Sequence, residues 1–302
     1  MNLNRLTHTE RRNRFREILG SGACTYPANV YDPVSARIAE LVGYEIGMLS
    51  GSVSSAIELA APDLCLISLT ELVGRTRSIC QSTNLSLFVD ADHGYGNALN
   101  VMRTVNELED AGAAALTIED VNLPNPFGIN QPNLILQEEM LGKLSAAVAA
   151  RRDSSLVIIA RTSSLNYEAP EIALERIRQY STRGVDGIFL AGTPRGKEDI
   201  SMVHSITALP IFLARTPPNI RDDPEFLNQT NVKVGLEGHH PFLASIKALH
   251  DTMTYLKEGG KSEALEGQAE SEKLLSQITR RQTFIQRQEQ FLSNPEDGRN
   301  RL

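Results

Sequence analysis

Two aspartates one residue apart, Asp90 and Asp92, stand in D-A-D-H-G-Y-G directly after the apolar run 85–89. Carboxylates at i and i+2 followed by Gly94 and Gly96 suit a hard cation that takes oxygen ligands, because the glycines let the backbone turn sharply beside it. So few carboxylates leave room for water and substrate oxygens, which fits Mg²⁺ better than Ca²⁺, with Mn²⁺ as its substitute. The same residues would also serve as an acidic turn capping a helix that starts at Asn97. Glu119 and Asp120, in T-I-E-D, end a second apolar run and favour the metal reading. Asp63, in A-A-P-D, is either a further carboxylate for the cation or a turn residue.

The other candidates are substrate groups. Arg161 follows four apolar residues in I-I-A-R-T. A guanidinium cannot shed its charge, so burial there calls for an anion: a substrate carboxylate, an internal pair with Glu119 or Asp120, or both. His239, in L-E-G-H-H-P, is placed to hydrogen-bond a substrate or move a proton near neutral pH, or to cap a helix, while His240 is assigned to the surface. In L-S-G-S, Ser52 offers a hydroxyl, and the backbone around Gly51 offers N–H groups for carboxylate oxygens. A nucleophilic role for Ser52 lacks a recognisable His–Asp pair. Lys143, Lys197, Lys233 and Lys247 end no predicted strand, which disfavours Schiff-base chemistry. Neither G-x-x-x-x-G-K-[ST] nor G-x-G-x-x-G occurs.

What must hold these residues is a rhythm of short β-rich runs and longer helical stretches. Strands are predicted near 23–30, 44–50, 85–90, 114–119, 156–161, 186–191, 209–214 and 232–237, after a leading helix near 9–19. Helices are marked at 33–42 by Asp32, Pro33 and Gly43, at 97–110 by one apolar face and Gly112, and at 170–182 by Pro170 and Gly184. Eight such units most simply close into a (β/α)8 barrel, with chemistry at the carboxyl ends of the strands. One catalytic domain is expected over 1–260. The Glu-, Gln-, Lys- and Arg-rich stretch from 261 to 302 is expected to be a helical extension, solvated or packed on a neighbouring subunit through Leu274, Ile278 and Ile285.

Composition narrows the partners. A net charge of −7 over 302 residues disfavours nucleic acid and anionic membrane surfaces. No run approaches the length of a membrane span, and the start has no apolar leader, so a cytoplasmic protein is expected. Cys24, Cys65 and Cys80 are too few and too scattered for a disulfide framework or a zinc site.

V-D-A-D-H-G-Y-G-N, with L-S-G-S, T-I-E-D and I-I-A-R-T in matching order, resembles the isocitrate lyase / phosphoenolpyruvate mutase superfamily over about residues 10–260. The resemblance implies a (β/α)8 barrel, Mg²⁺, 2-keto-acid substrates and a homotetramer that exchanges C-terminal helices. Carbon–carbon lyases of the family carry K-[KR]-C-G-H after the fourth strand, and the mutases carry a lysine there. Here the stretch reads V-N-L-P-N-P-F-G-I-N-Q, with Asn125 near the lysine's place. What remains looks most like the oxaloacetate decarboxylase branch, where Ser52, Arg161 and His239 match substrate-contacting positions and Asp90 the metal ligand. Asp92, Glu119 and Asp63 would then hold coordinated waters. The expected reaction is loss of CO₂ from C4 of oxaloacetate through an enolate stabilised by the cation and Arg161. A 2-methylisocitrate-type lyase and a non-catalytic keto-acid-binding barrel are the alternatives. The resemblance assigns no residue in A-R-T-P-P-N after the seventh strand.

Overall fold

The computed structural model describes residues 5–129, 131–192, 195–265 and 267–292. Its strands are β1 (Ala28–Asn29), β2 (Ile46–Leu49), β3 (Ser86–Asp90), β4 (Ala115–Glu119), β5 (Val157–Thr162), β6 (Gly187–Leu190), β7 (Ile211–Leu213) and β8 (Val232–Gly235). The helices before β4 are α1 (His8–Gly20), α2 (Pro33–Val42), α3 (Gly51–Leu59), α4 (Leu69–Ser82) and α5 (Ala98–Ala111). Then come α6 (Gln137–Ala150), α7 (Ser164–Tyr167), α8 (Pro170–Ser181), α9 (Lys197–Ile206), α10 (Pro218–Arg221) and α11 (Pro224–Gln229). The last are α12 (His240–Lys257), α13 (Gln268–Ile278) and α14 (Arg281–Leu292).

Each predicted strand overlaps one of these, and the eight pair in chain order as one parallel sheet. The sheet curls until Thr25, ahead of β1, bridges Val234 of β8: its N–H donates to the Lys233 carbonyl at 2.8 Å, and the Gly235 N–H to the Thr25 carbonyl at 3.0 Å. The expected barrel is thus seen as an eight-stranded parallel α/β sheet whose ends meet through a bridge, not through a ladder between β8 and β1.

Alternation along the strands separates two cores. Leu87, Val89, Leu116, Ile118, Ile158 and Ile188 face one way, in one cluster with Leu72, Val105, Leu144 and Ile177 from the helices. Ile46, Met48, Phe88, Val157, Ile159, Phe189 and Phe212 face the other way, in one cluster with Phe15 and Leu19 of α1. The Phe88 ring lies 5.7 Å from that of Phe212, 6.1 Å from Phe15 and 6.2 Å from Phe189. Truncating one such ring to alanine costs about 3–5 kcal/mol. This aromatic floor is the base on which the polar strand ends stand.

Helix punctuation follows the expected signals. Asp32 caps α2 through the Ser35 N–H, and Gly43 ends it at φ 104°. Asn97 caps α5 by accepting from the Leu99 and Asn100 N–H groups, and Gly112 ends it at φ 102°. No helix among the described residues is long and apolar enough to cross a membrane.

The chain separates into two compact units, Arg5–Ala244 and the described residues from Ser245 onward. The second holds most of α12, a 3₁₀ turn over Ser262–Ala264, α13 and α14. The helical extension expected from 261 is interrupted: Arg280 takes φ 53° between α13 and α14. Ile278 is buried there, whereas Leu274 and Ile285 are exposed.

Candidate active site

Strand register assembles the centre. Asp90 ends β3 opposite Thr117 of β4, and Glu119 ends β4 opposite Arg161 of β5. Directly paired residues of a parallel sheet face the same side, so all four side chains converge above the aromatic floor. Arg161 Nη1 lies 2.6 Å from both Asp90 carboxylate oxygens, and its Nε lies 3.1 Å from Glu119 Oε2. The Nε contact is an ion pair without hydrogen-bond geometry, so that N–H has no hydrogen-bond acceptor. Thr117 Oγ1 donates to Asp90 Oδ1 at 3.0 Å, and the Asp92 N–H reaches the same oxygen at 3.3 Å. Both internal and substrate pairing had been expected of Arg161; the internal part is present, with Asp90 as its main partner in place of Asp120.

These contacts split the carboxylates electrostatically. For Asp90, desolvation opposes ionisation, but Arg161, Thr117 and the Asp92 N–H outweigh it and hold its pKa below the ordinary value. Asp92 goes the other way: desolvation, then the charges of Asp90 and Glu119, push it well up. Glu119 is pushed to about 7 by desolvation, against the pull of Arg161 and with Asp90 and Asp120 adding repulsion. For Arg161 desolvation works against the charge, yet Asp90, Glu119 and Asp92 raise its pKa overall.

A cavity of about 910 Å³ opens over this cluster, lined by Ser52, Asp63, Asp90, Arg161 and His239 among the predicted residues. Ser52 Oγ lies 3.2 Å from His239 Nε2 and 3.3 Å from Ser50 Oγ. Burial lowers the His239 pKa, against the opposing charges of Asp63 and Asp90, and Nδ1 is buried without a protein partner. Asp63 is exposed in the loop after α3; desolvation and then Asp90 raise its pKa.

Gly51, Asp92 and Glu119 do not line the cavity; they stand behind it. Gly51 earns a specific explanation. A Cβ there would lie 2.6 Å from Asp92 Oδ1, so the glycine makes room for the aspartate that the next loop brings in. That steric role stands beside the carboxylate cradle expected of its backbone N–H groups.

Two expectations need adjustment. Asp120 is fully buried and tied into the framework: it accepts from Thr162 Oγ1 at 2.6 Å, Tyr180 Oη at 3.0 Å and the Ser163 N–H at 3.1 Å. His240 is exposed as expected, but it also lines the cavity mouth. Residues without an assigned role also line the cavity, including Asn29, Arg215, Thr216, Arg221 and Glu237. Arg215 and Thr216 belong to the A-R-T-P-P-N stretch. Their signal was available, since a cation and a hydroxyl directly after a strand are candidates by the same logic as Arg161.

The donor set suits a hard divalent cation. Asp63, Asp90, Asp92 and Glu119 bring four carboxylates against one guanidinium; burial first, and mutual repulsion after it, raises the pKa values of Asp92 and Glu119. Among the described residues no three His, Cys, Asp or Glu side chains are gathered into a metal cage. A site with one direct carboxylate and further ones reached through water is the arrangement Mg²⁺ favours.

An α/β chain with eight parallel strands in sequence order and an acidic, arginine-centred site at their carboxyl ends is of the barrel-enzyme class. The chain belongs to the phosphoenolpyruvate phosphomutase family, whose model matches residues 15–257, within the isocitrate lyase / phosphoenolpyruvate mutase superfamily. It is 44% identical over 283 residues to an oxaloacetate decarboxylase of Rhodopseudomonas palustris strain TIE-1, covering 94% of this chain and 97% of that protein. Among solved structures it is similar to a phosphonopyruvate hydrolase in complex with oxalate and Mg²⁺, with TM-score 0.81, 25% identity and 94% and 99% of the two chains covered. A phosphoenolpyruvate phosphomutase from Streptomyces platensis subsp. rosaceus matches with TM-score 0.82, 26% identity and 93% and 99% coverage.

Proposed function

We propose that the protein is a Mg²⁺-dependent lyase that decarboxylates oxaloacetate, or a close 2-keto diacid, to pyruvate and CO₂. The observation that carries the reading is Arg161, held between Asp90 and Glu119 and facing a cavity shared with Ser52 and His239. The decarboxylase relatives, 44% identical over most of the chain, support it.

Asp90 would hold the cation directly, and Asp92, Glu119 and Asp63 would hold it through water. When bound, the cation supplies a Lewis acid to the keto-acid end of the substrate. The remaining work belongs to side chains. Ser52 and the α3 amino end hold the C1 carboxylate. Arg161, kept charged by its carboxylate neighbours, receives the negative charge that reaches the C2 oxygen when the C3–C4 bond breaks and its electrons move into the C2–C3 bond. His239 is neutral near pH 7 because burial lowers its pKa; its unpartnered Nδ1 makes it a substrate contact and an aid to protonation at C3. No base is needed to start this reaction, which agrees with a loop after β4 that holds neither cysteine nor lysine.

Around this chemistry we place a closed (β/α)8 barrel, with a catalytic domain over 1–260 and an extension from 261 that packs on a neighbouring subunit of a cytoplasmic homotetramer. The test is a panel of 2-keto and 2-hydroxy diacids with Mg²⁺ or Mn²⁺, followed for CO₂ and pyruvate. Oxaloacetate should be turned over by the wild type and not by Asp90→Ala. Unchanged turnover in Asp90→Ala would refute the metal assignment, and succinate release from 2-methylisocitrate would mark a different lyase.

A further inference from the structure

The polar groups of the cavity fall into two sets. Asp90 and Arg161 rise from β3 and β5. Asn29 comes from β1, Arg215 and Thr216 directly follow β7, and His239 follows β8. In this second set Asn29 Oδ1, Thr216 Oγ1 and His239 Nδ1 are all buried without a hydrogen-bond partner. Buried polar atoms are nearly always paired, so three orphans lining one cavity point to a polar ligand. The charges differ too. Arg221 is paired with Glu237, whereas Arg215, exposed at the rim, makes no ion pair among the described residues. The Thr216 hydroxyl is also closely fitted: a Cβ on Gly235 of β8 would collide with it and would stand 2.9 Å from Tyr26 Cε1. Glycine at that place lets the hydroxyl sit against the strand.

We propose that Arg215 and Thr216 form a second carboxylate-binding pole that takes the distal carboxylate of a four-carbon diacid. The inference rests on the reading above for what occupies the first pole. A 2-keto diacid carries two anionic ends, and the Asp90–Arg161 side is suited to the keto-acid end. Chelation through C4 instead would draw positive charge onto the carboxylate that has to leave as neutral CO₂, and would oppose breaking the C3–C4 bond. A second pole keeps C4 away from the first. Arg215 can do this without heavily stabilising the ground state, because its charge is at the solvent-exposed rim, where screening weakens it. These residues therefore select chain length and charge at the far end; they do not contribute to the electron sink.

Malate and lactate differ only in that distal carboxylate, and neither undergoes the reaction. Calorimetric titration with Mg²⁺ present should show the wild type binding malate about tenfold or more tighter than lactate. In Arg215→Gln the ratio should fall towards one, and in Thr216→Val it should fall part of the way. Oxalate, which fills only the first pole, should bind both variants within about twofold of the wild type, the range left once a rim charge acts only locally. Arg215→Lys should restore part of the preference. An unchanged malate-to-lactate ratio in Arg215→Gln, or an equal loss of oxalate binding, would overturn the proposal. Malate preference in a protein that fails to turn over oxaloacetate would sink the decarboxylase reading and leave this pole standing. Turnover with an unchanged ratio would do the reverse.

Discussion

At the scale of single residues, the chemistry follows from which charges are left uncompensated. Arg161 holds Asp90 ionised, whereas burial raises the pKa values of Asp92 and Glu119 despite the same guanidinium. His93, next in the same loop, is buried, and its pKa is lowered to about 4 by desolvation and then by Lys143. The unfolded chain would bind that proton near the model-peptide value of 6.5, so the folded state resists protonation. The stabilising contribution is therefore whole above pH 6.5 and is lost as pH falls towards 4. Thermal midpoints measured across that window should drop in the wild type and drop less in His93→Gln; parallel curves would remove His93 from the account. Asp90 and Arg161 were legible in the sequence because each directly follows an apolar run, and Ser52 and His239 because each lies within three residues of one. The partner of Arg161 was not, since only the strand register shows that Asp90 competes with Glu119 for one guanidinium. Nor was the steric fit at Gly51, which depends on a carboxylate arriving from a loop 41 residues further on, at Asp92.

At the scale of elements, strands and helices were read well wherever a local signal existed. Asp32–Pro33 with Gly43, and Asn97 with Gly112, fix their helices through backbone hydrogen bonds made within a few residues. The break at Arg280 had no such signal, because a left-handed arginine is neither glycine nor asparagine. Asp120 was misplaced for the opposite reason: an acid at a strand end is the same in sequence whether it meets a ligand or a tyrosine. Its network joins the ends of β4 and β5 to α8, and Arg176 extends it by donating to Tyr180 Oη at 3.0 Å and to the Ile135 carbonyl at 3.2 Å. Tyr180→Phe removes one of three donors to a fully buried carboxylate, which costs about 1–3 kcal/mol. Chemical denaturation should show that loss with little change in the slope, and a variant as stable as the wild type would show the network to be dispensable.

At the scale of the whole molecule, the parallel order of the sheet was legible from the β/α rhythm alone. How the chain covers its apolar surface was not. On α12, Ile246, Leu249, Met253 and Leu256 recur at helical spacing, and all are exposed. The homotetramer proposed above would use such a stripe to seat a second copy of this protein. Leu249→Glu would bury a charge in such a contact, so sedimentation velocity should show a smaller species than the wild type. Equal sedimentation of the two proteins would take α12 out of the interface.

The first helix carries a consequence for how the molecule comes into being. Arg11 donates to the Cys80 carbonyl at 2.7 Å, Arg12 to that of Ala113 at 3.0 Å, and Arg16 to that of Ser155 at 2.9 Å and to Asp186 at 3.0 Å. These acceptors lie 69 to 170 positions downstream. Helix α1 is therefore translated well before its partners and cannot dock fully until Asp186 has been made, and Phe15 and Leu19 stay without their native cover meanwhile. Biosynthesis runs in one direction, but this architecture is sealed only when α1 meets strands and loops made long after it.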